Sequence, residues 1–329
     1  GGRIYILPCI AGHVGADTAG VILSEEPQQQ KAMTLLVDVG TNAEIVLGDK
    51  NRLLACSSPT GPAFEGAQIS AGQRAAAGAI ERVRIDPDTL VARFKVIGSD
   101  LWSDEPGFIE ETSKFGVTGI CGSGIIEVVA EMYLSGIVTV DGIIDGELAS
   151  RSPLVVADGR TWSYVLYQSD LTENQAPILV TQNDIRQIQL AKAALYAGVK
   201  LLMDKLDIDH VDRIRLAGAF GSHINVQHAM VLGLIPDCAL NQVSSAGNAA
   251  GTGARIALLN NQSRNTIEDL VTNIEKIETA MEPKFQQYFV DAMAFPNKTD
   301  PFPNLFSTID KPPEKLITES PGGRKRRRR

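Results

Sequence analysis

The stretch TLLVDVGTNAEIVLGD (34–49) sets an aspartate, a glycine, a threonine and an asparagine within five positions, between two apolar runs. A hairpin turn needs only the glycine and the asparagine. The other two residue types point to phosphate chemistry. Gly40 lets the backbone approach an anion closely, Thr41 and Asn42 supply donors, and Asp38 at a strand end suits Mg²⁺, usually held through its waters. The plainer alternative is a hairpin with an incidental acid.

Three other stretches repeat the theme of glycine at the end of an apolar run or the start of a helix. ICGSG (120–124) brings Gly122 and Ser123, and LAGAFG (216–221) brings Gly218, Ala219, Phe220 and Gly221. SAGNAAGTGA (245–254) brings Gly247 and then Asn248, placed as a helix N-cap. Helix N-termini favour anions through free N–H groups and the helix dipole. Each stretch is weak alone, because glycine before a helix is common. Together with DVGTN they point to a nucleotide cleft in which Gly218 and Gly221 would let an adenosine lie flat against the backbone, with a plain αβ turn as the alternative reading of LAGAFG.

Glu65, in the glycine-bounded loop GPAFEG, is a candidate to orient a water or a hydrated Mg²⁺, against the plainer reading of a surface glutamate. Lys192 reads as a solvated lysine on a long helix, and Cys121 as a small buried residue. His223 and His228 lack an acid or cysteine nearby in the sequence, so a metal site there is not expected.

Several elements must position these groups. GADTAGVIL (15–23) reads as a small-residue helix, preceded by RIYILP (3–8) as a short buried strand. Three strands follow between 33 and 57, and a further pair at 80–98 flanks the turn DPDT. Helices are expected near 123–135, from Thr181 with Asp184 in capping-box spacing, at 225–233, from Asn248, and at 263–276 and 283–294. The 139–180 segment is turn-rich and reads as an insertion. From Phe295 the composition shifts to Pro, Asn, Ser and charge, which predicts a disordered tail over 296–329.

The chain has 329 residues, enough for about two packed lobes, with 44% hydrophobic and 21% charged residues. Its net charge is −8, yet the last six residues, RKRRRR, are all cationic, which puts residues 1–323 at −14. An acidic body argues against a nucleic-acid groove. The basic end reads as a solvated tail, with steering toward an acidic partner as its functional alternative. Cys9, Cys56, Cys121 and Cys238 are scattered with no CxxC pair, which argues against an iron–sulfur ligand set in this chain and fits a reducing cytoplasm. No apolar run is long enough to span a membrane.

In their order, LPCIAGHVGADTAGVIL, LLVDVGTNAEIVLGD, GPAFEGAQIS, GICGSGIIEVVAEM, DIRQIQLAKAAL, IRLAGAFGSHI and GNAAGTGA resemble the reductive activators of corrinoid-dependent enzymes. These belong to the ATPase superfamily of acetate and sugar kinases, 70-kilodalton heat-shock chaperones and actin. The resemblance implies an α/β fold, a ribonuclease-H-like lobe of that ATPase fold. Residues 1–30 would be the C-terminal piece of the first lobe, and 31–295 the second lobe. It implies ATP with Mg²⁺, and ATP-dependent reduction of Co(II) to Co(I) in a corrinoid protein that serves a methyltransferase. A homodimer is admitted as a further assembly. Asp17, in the first-lobe piece, would face the cleft as a second catalytic candidate beside Glu65. Such activators usually begin with a ferredoxin-like domain carrying a [2Fe–2S] cluster and a further DxGTTT hairpin, and neither is in this sequence. The chain alone is therefore expected to turn over ATP poorly. The rival readings are a metabolite kinase of the same superfamily and an actin-like scaffold ATPase.

Overall fold

The structure is a computed structural model that describes residues 2, 4–168 and 176–313. RKRRRR, with the expectations placed on it, lies outside the described residues.

After an extended start, helix α1 (Ala16–Glu25) leads to a meander of three antiparallel strands, β1 (Thr34–Val39), β2 (Ala43–Gly48) and β3 (Leu53–Ser58). Strands β4 (Ala79–Ile85) and β5 (Ala92–Val96) form an antiparallel ribbon, followed by the short helix α2 (Phe108–Thr112). The two-residue strand β6 (Gly119–Ile120) joins β4 in parallel and feeds helix α3 (Gly122–Leu134). The expected insertion carries a sheet of its own, with β7 (Val155–Asp158), β8 (Thr161–Tyr167) and β9 (Ile178–Thr181) in that order.

Helix α4 (Gln182–Leu206) follows, then strand β10 (Arg213–Ala217), helices α5 (Gly218–His223) and α6 (Val226–Val231), strand β11 (Val243–Gly247) and helix α7 (Ala249–Leu259). Helix α8 (Asn261–Asn273), strand β12 (Glu275–Lys276) and helices α9 (Phe285–Asp291) and α10 (Pro303–Phe306) complete the described chain. The central sheet runs β11-β10-β1-β2-β3-β12, with β11, β10 and β1 parallel and β2 antiparallel between β1 and β3.

Strand alternation divides the core between the two faces of this sheet. Leu35, Val37, Ile45, Leu47, Leu54 and Cys56 join the larger cluster that also holds Ile188, Leu195 and Val199 of α4. Leu36, Val46, Ala55 and Ala217 join the smaller cluster with Val21 and Ile22 of α1 and with Ile267 and Val271 of α8. Glycines bring α1 and α7 together. A Cβ on Gly253 would run into the Gly20 backbone, and one on Gly20 would come 2.8 Å from the Ala250 carbonyl oxygen.

The capping box opening α4 forms as its spacing predicts. The Asp184 N–H donates to Thr181 Oγ1 at 3.2 Å and the Thr181 N–H to Asp184 Oδ2 at 2.8 Å. Asp184 Oδ1 also accepts from the backbone N–H of Ser70 at 2.8 Å. The loop that carries Glu65 is thereby moored to the start of α4.

Three expectations fail. Residues 3–8 belong to no strand among the described residues, and Ile4 and Ile6 are 92% and 79% exposed. Residues 296–313 are not a loose tail: Phe302 and Leu305 are buried in the main core, and α10 is docked by the Leu305 N–H donating to Asp237 Oδ1 at 3.0 Å. Lys192 is not solvated. It is fully buried, and its Nζ donates to the carbonyl oxygens of Ala294 and Pro296, the latter at 2.8 Å. Burial holds its pKa well below the usual lysine range.

Candidate functional site

The ends of three parallel strands lie level. Asp38 on β1 is the register partner of Ala217 on β10, and Ala217 that of Gly247 on β11. The carboxyl ends of parallel strands are where open α/β sheets bind ligands. Gly218 follows Ala217 at a φ of +84°, and a Cβ there would strike Asp38 Oδ1. Only glycine allows the β10 turn to pass so close to that carboxylate.

The hairpin register adds a residue that motif reading missed. The turn is centred on Thr41, so Asp38 faces Glu44 across the β1–β2 pair. Asp17, at the start of α1, lies near enough to act electrostatically on both. Burial first, and the Asp17 charge second, raise the pKa of Asp38. Burial, then Asp17 and Asp38, push Glu44 up to about 7, although Ser57 donates to Glu44 Oε1 at 3.5 Å. Opposed like charges are unfavourable in a cross-strand pair. The spacing to detect Glu44 was in the sequence, since a turn centred on position 41 mirrors 38 onto 44.

The turn itself is braced from the far side. Thr60 Oγ1 donates to the carbonyl oxygens of Gly40 at 2.8 Å and Thr41 at 3.1 Å, and the Gly61 N–H donates to Thr41 at 2.9 Å. Thr41 Oγ1 donates to Glu65 Oε1 at 2.9 Å, so the exposed catalytic candidate touches the hairpin. Asn42 is exposed at the turn and lines a cleft of about 430 Å³ together with His13, Ser57, Pro59, Lys276 and Glu278.

Other candidates divide. Gly247 has a φ of +59°, and a Cβ there would meet nothing within 4 Å, so its surface is open. Asn248 is spent on capping, its Oδ1 accepting from the Gly251 N–H at 2.9 Å. Ala219 and Phe220 lie in α5. Gly221 is buried and packs on β10, where a Cβ would lie 2.9 Å from the Leu216 carbonyl, so close packing by itself calls for glycine at this position. Gly122 and Ser123 begin α3, but Ser123 is buried with its Oγ 3.3 Å from Cys121 Sγ, while Cys121 donates to the Ile80 carbonyl. His228 has an acid after all, with Nε2 at 2.7 Å from Glu131 Oε1 on α3.

Among the described residues no three His, Cys, Asp or Glu side chains are placed to hold an ion by themselves. Asp38 nevertheless fits Mg²⁺. It is a carboxylate whose charge is disfavoured first by burial and then by the nearby Asp17, and Mg²⁺ is commonly held by one carboxylate with water and phosphate completing its shell.

The sheet order, the phosphate-type hairpin and the glycine turn against its aspartate define a ribonuclease-H-like lobe of the acetate and sugar kinase, heat-shock and actin ATPase fold. The family described as the C-terminal domain of RACo, the ASKHA domain, matches residues 32–306. The chain belongs to this family. It is 34% identical over 300 residues to the corrinoid activation enzyme RamQ of Eubacterium limosum, covering 89% of this chain and 47% of that protein. It is 26% identical over 285 residues to the [Co(II) methylated amine-specific corrinoid protein] reductase of Methanosarcina barkeri, covering 84% of this chain and 47% of the relative. Among solved structures it resembles a reductive activator for corrinoid, iron-sulfur protein, at a TM-score of 0.77 and 32% identity, over 93% of this chain and 46% of the other. The chain thus spans about half the length of the relatives it matches.

Proposed function

We propose that this chain is the ATP-hydrolysing part of a reductive activator, which couples ATP turnover to one-electron reduction of Co(II) to Co(I) in a corrinoid protein serving a methyltransferase. The observation that carries the ATP reading is the Asp38 carboxylate, set at level strand ends against Gly218, beside a turn whose Thr41 hydroxyl bonds Glu65. The names of the relatives carry the corrinoid reading.

In this reading Asp38 would hold Mg²⁺, and Gly40, Thr41 and Asn42 would face the phosphates. Gly218, Ala219 and Gly247 border the nucleoside, and Gly122 and Ser123 form a further wall. Magnesium supplies charge neutralisation on the phosphate oxygens. Glu65 orients the water whose oxygen bonds the γ-phosphorus as the bond to the ADP oxygen breaks. Asp17 sets the charge around Asp38. Phosphoryl transfer depends mainly on positioning and electrostatics, which a braced hairpin supplies.

The single electron that turns Co(II) into Co(I) would be supplied by a [2Fe–2S] cluster of a ferredoxin-like domain, as the family resemblance implies, and none of the described residues is assigned to hold that cluster. Residues 1–30 then close the first lobe and 31–295 form the second. ATP resets the complex with the corrinoid protein if ATP and its products bind the two states of that complex unequally. No helix among the described residues is long and apolar enough to cross a membrane, and we assign the protein to the cytoplasm.

Asp38→Ala tests the site. In the protein extended to full length, the substitution should lower ATP turnover on the order of a hundredfold or more. Removing one of three neighbouring carboxylates relieves repulsion, so the variant should fold. Unchanged turnover would remove Asp38 from the site.

A further inference from the structure

The ribbon of β4 and β5 carries an arrangement of charge that its own fold does not call for. Its register sets Arg82 opposite Lys95 and Arg84 opposite Arg93, two like-charged cross-strand pairs on one face. The other face, with Val83, Ile85, Phe94 and Val96, is buried core. Directly opposed like charges destabilise a strand pair. Arg82 and Arg84 are offset from within, donating to the fully buried Glu127 at 2.9 Å and 2.6 Å. No carboxylate among the described residues pairs with Arg93 or Lys95.

Over this face lies Trp102. The side-chain cations of Arg93, Lys95 and Arg84 sit 4.8, 5.5 and 5.9 Å from its ring centroid. The loop that presents it is fixed: the Phe94 N–H donates to Ser103 Oγ at 3.0 Å, the Ser103 N–H to the Phe94 carbonyl at 2.8 Å, and the Trp102 N–H to Glu105 Oε2 at 2.7 Å. The face is therefore cationic and held in shape before anything binds.

We propose that this face, bearing Arg82, Arg84, Arg93, Lys95 and Trp102, docks an acidic patch on the partner protein, which under the functional reading above is the corrinoid protein. Complementary charge steers encounter and fixes orientation, and desolvated cations gain strength over an aromatic ring. A nucleic acid is disfavoured because residues 1–323 sum to −14. An extended polyanion would meet that negative body beyond the ribbon, whereas a compact acidic patch acts within a screening length of about 8–10 Å.

The test compares full-length protein with Arg93→Glu/Lys95→Glu, with the milder Arg93→Gln/Lys95→Gln, and with Lys50→Glu/Lys298→Glu as an equal change of net charge elsewhere. Each reversal on the ribbon creates an opposite-charge pair across the strands, which favours folding. Association with the purified corrinoid protein should slow about tenfold or more at low salt for the ribbon reversal, less for the glutamine pair, and little for the distant pair. The gap should close as salt is raised. Equal slowing by the distant pair, or no slowing by the ribbon reversal in a complex that still forms, overturns the docking face alone. Failure of the unaltered protein to bind or reduce the corrinoid protein overturns the functional reading and this face with it.

Discussion

Single residues decide both the chemistry and what can be inferred about it. Asp38, Gly40 and Thr41 announce themselves, because no turn needs that combination. Glu44 does not, since its importance comes from the register that places it across from Asp38. Its carboxyl, raised from 4.5 to about 7 by burial and by Asp17 and Asp38, gives a sign that can be checked. A carboxyl whose pKa rises on folding adds stability below its unfolded value, and that stability is lost as pH rises through the folded value. Glu44→Gln should therefore gain stability relative to the parent between pH 5 and pH 8, on the order of 1 kcal/mol once partial exposure is allowed for. Denaturant titration at the two pH values measures this, and added Mg²⁺ should shrink the difference if the ion neutralises Asp38. A pH-independent difference would mean that Glu44 does not titrate in this range. Gly221 shows the limit of the same kind of reading. A glycine serves ligand approach and backbone packing equally well, and the nearness of Leu216 accounts for Gly221 by packing alone.

Among the elements, α4 was the most legible, from its capping box to its apolar stripe Ile185, Ile188, Leu195, Val199, Leu202 and Leu206. Lys192 falls at the one step where the stripe's alternating spacing of three and four is otherwise broken. A charge-bearing residue in the core position of a buried helix was the available signal. A neutral amine still offers two N–H groups, enough for the carbonyls of Ala294 and Pro296. Because burial lowers its pKa, the folded state holds fewer protons than the unfolded chain between the lowered value and the ordinary one, and stability contributed there rises with pH. Relative to Lys192→Met, the parent should gain stability from pH 7 to pH 9.5, as measured by chemical unfolding. Parallel pH profiles would mean that the amine stays charged. The segment RIYILP failed for a different reason: alternation marks an extended segment, but a strand also needs a neighbour to pair with. Residues 296–313 failed because polar composition hid the anchors Phe302 and Leu305.

For the molecule as a whole, the fold class followed from the order of the motifs, while the contacts between distant segments did not. Nothing local relates Glu127 and Glu131 on α3 to Arg82, Arg84 and His228. The proposed activity also belongs to this scale, because the chain covers about half of its relatives. If the proposed function holds, with the electron-donating cluster and a first phosphate hairpin supplied by residues other than these 329, this chain alone should hydrolyse ATP slowly and reduce no cobalt. A version extended upstream should do both. Parallel assays of ATP hydrolysis and of Co(II) corrinoid-protein reduction decide the matter, and equal activity of the two would show that the catalytic parts are already all here.

The sheet order has a consequence for how the molecule assembles. Thr34 meets Gly48 across a nearby turn, but its other neighbour, Arg213, arrives only after the ribbon, the small sheet and α4 have been made. Closing so long a loop costs entropy before contacts repay it. The β1–β3 meander should therefore form early in folding and the β1–β10 seam late. Val46→Ala should then slow refolding, whereas Leu216→Ala should leave the refolding rate nearly unchanged and speed unfolding. Each truncation removes enough buried surface to be measured. If Leu216→Ala slows refolding as much as it destabilises the protein, the seam closes first, and the meander waits on a partner strand that is made far later in the chain.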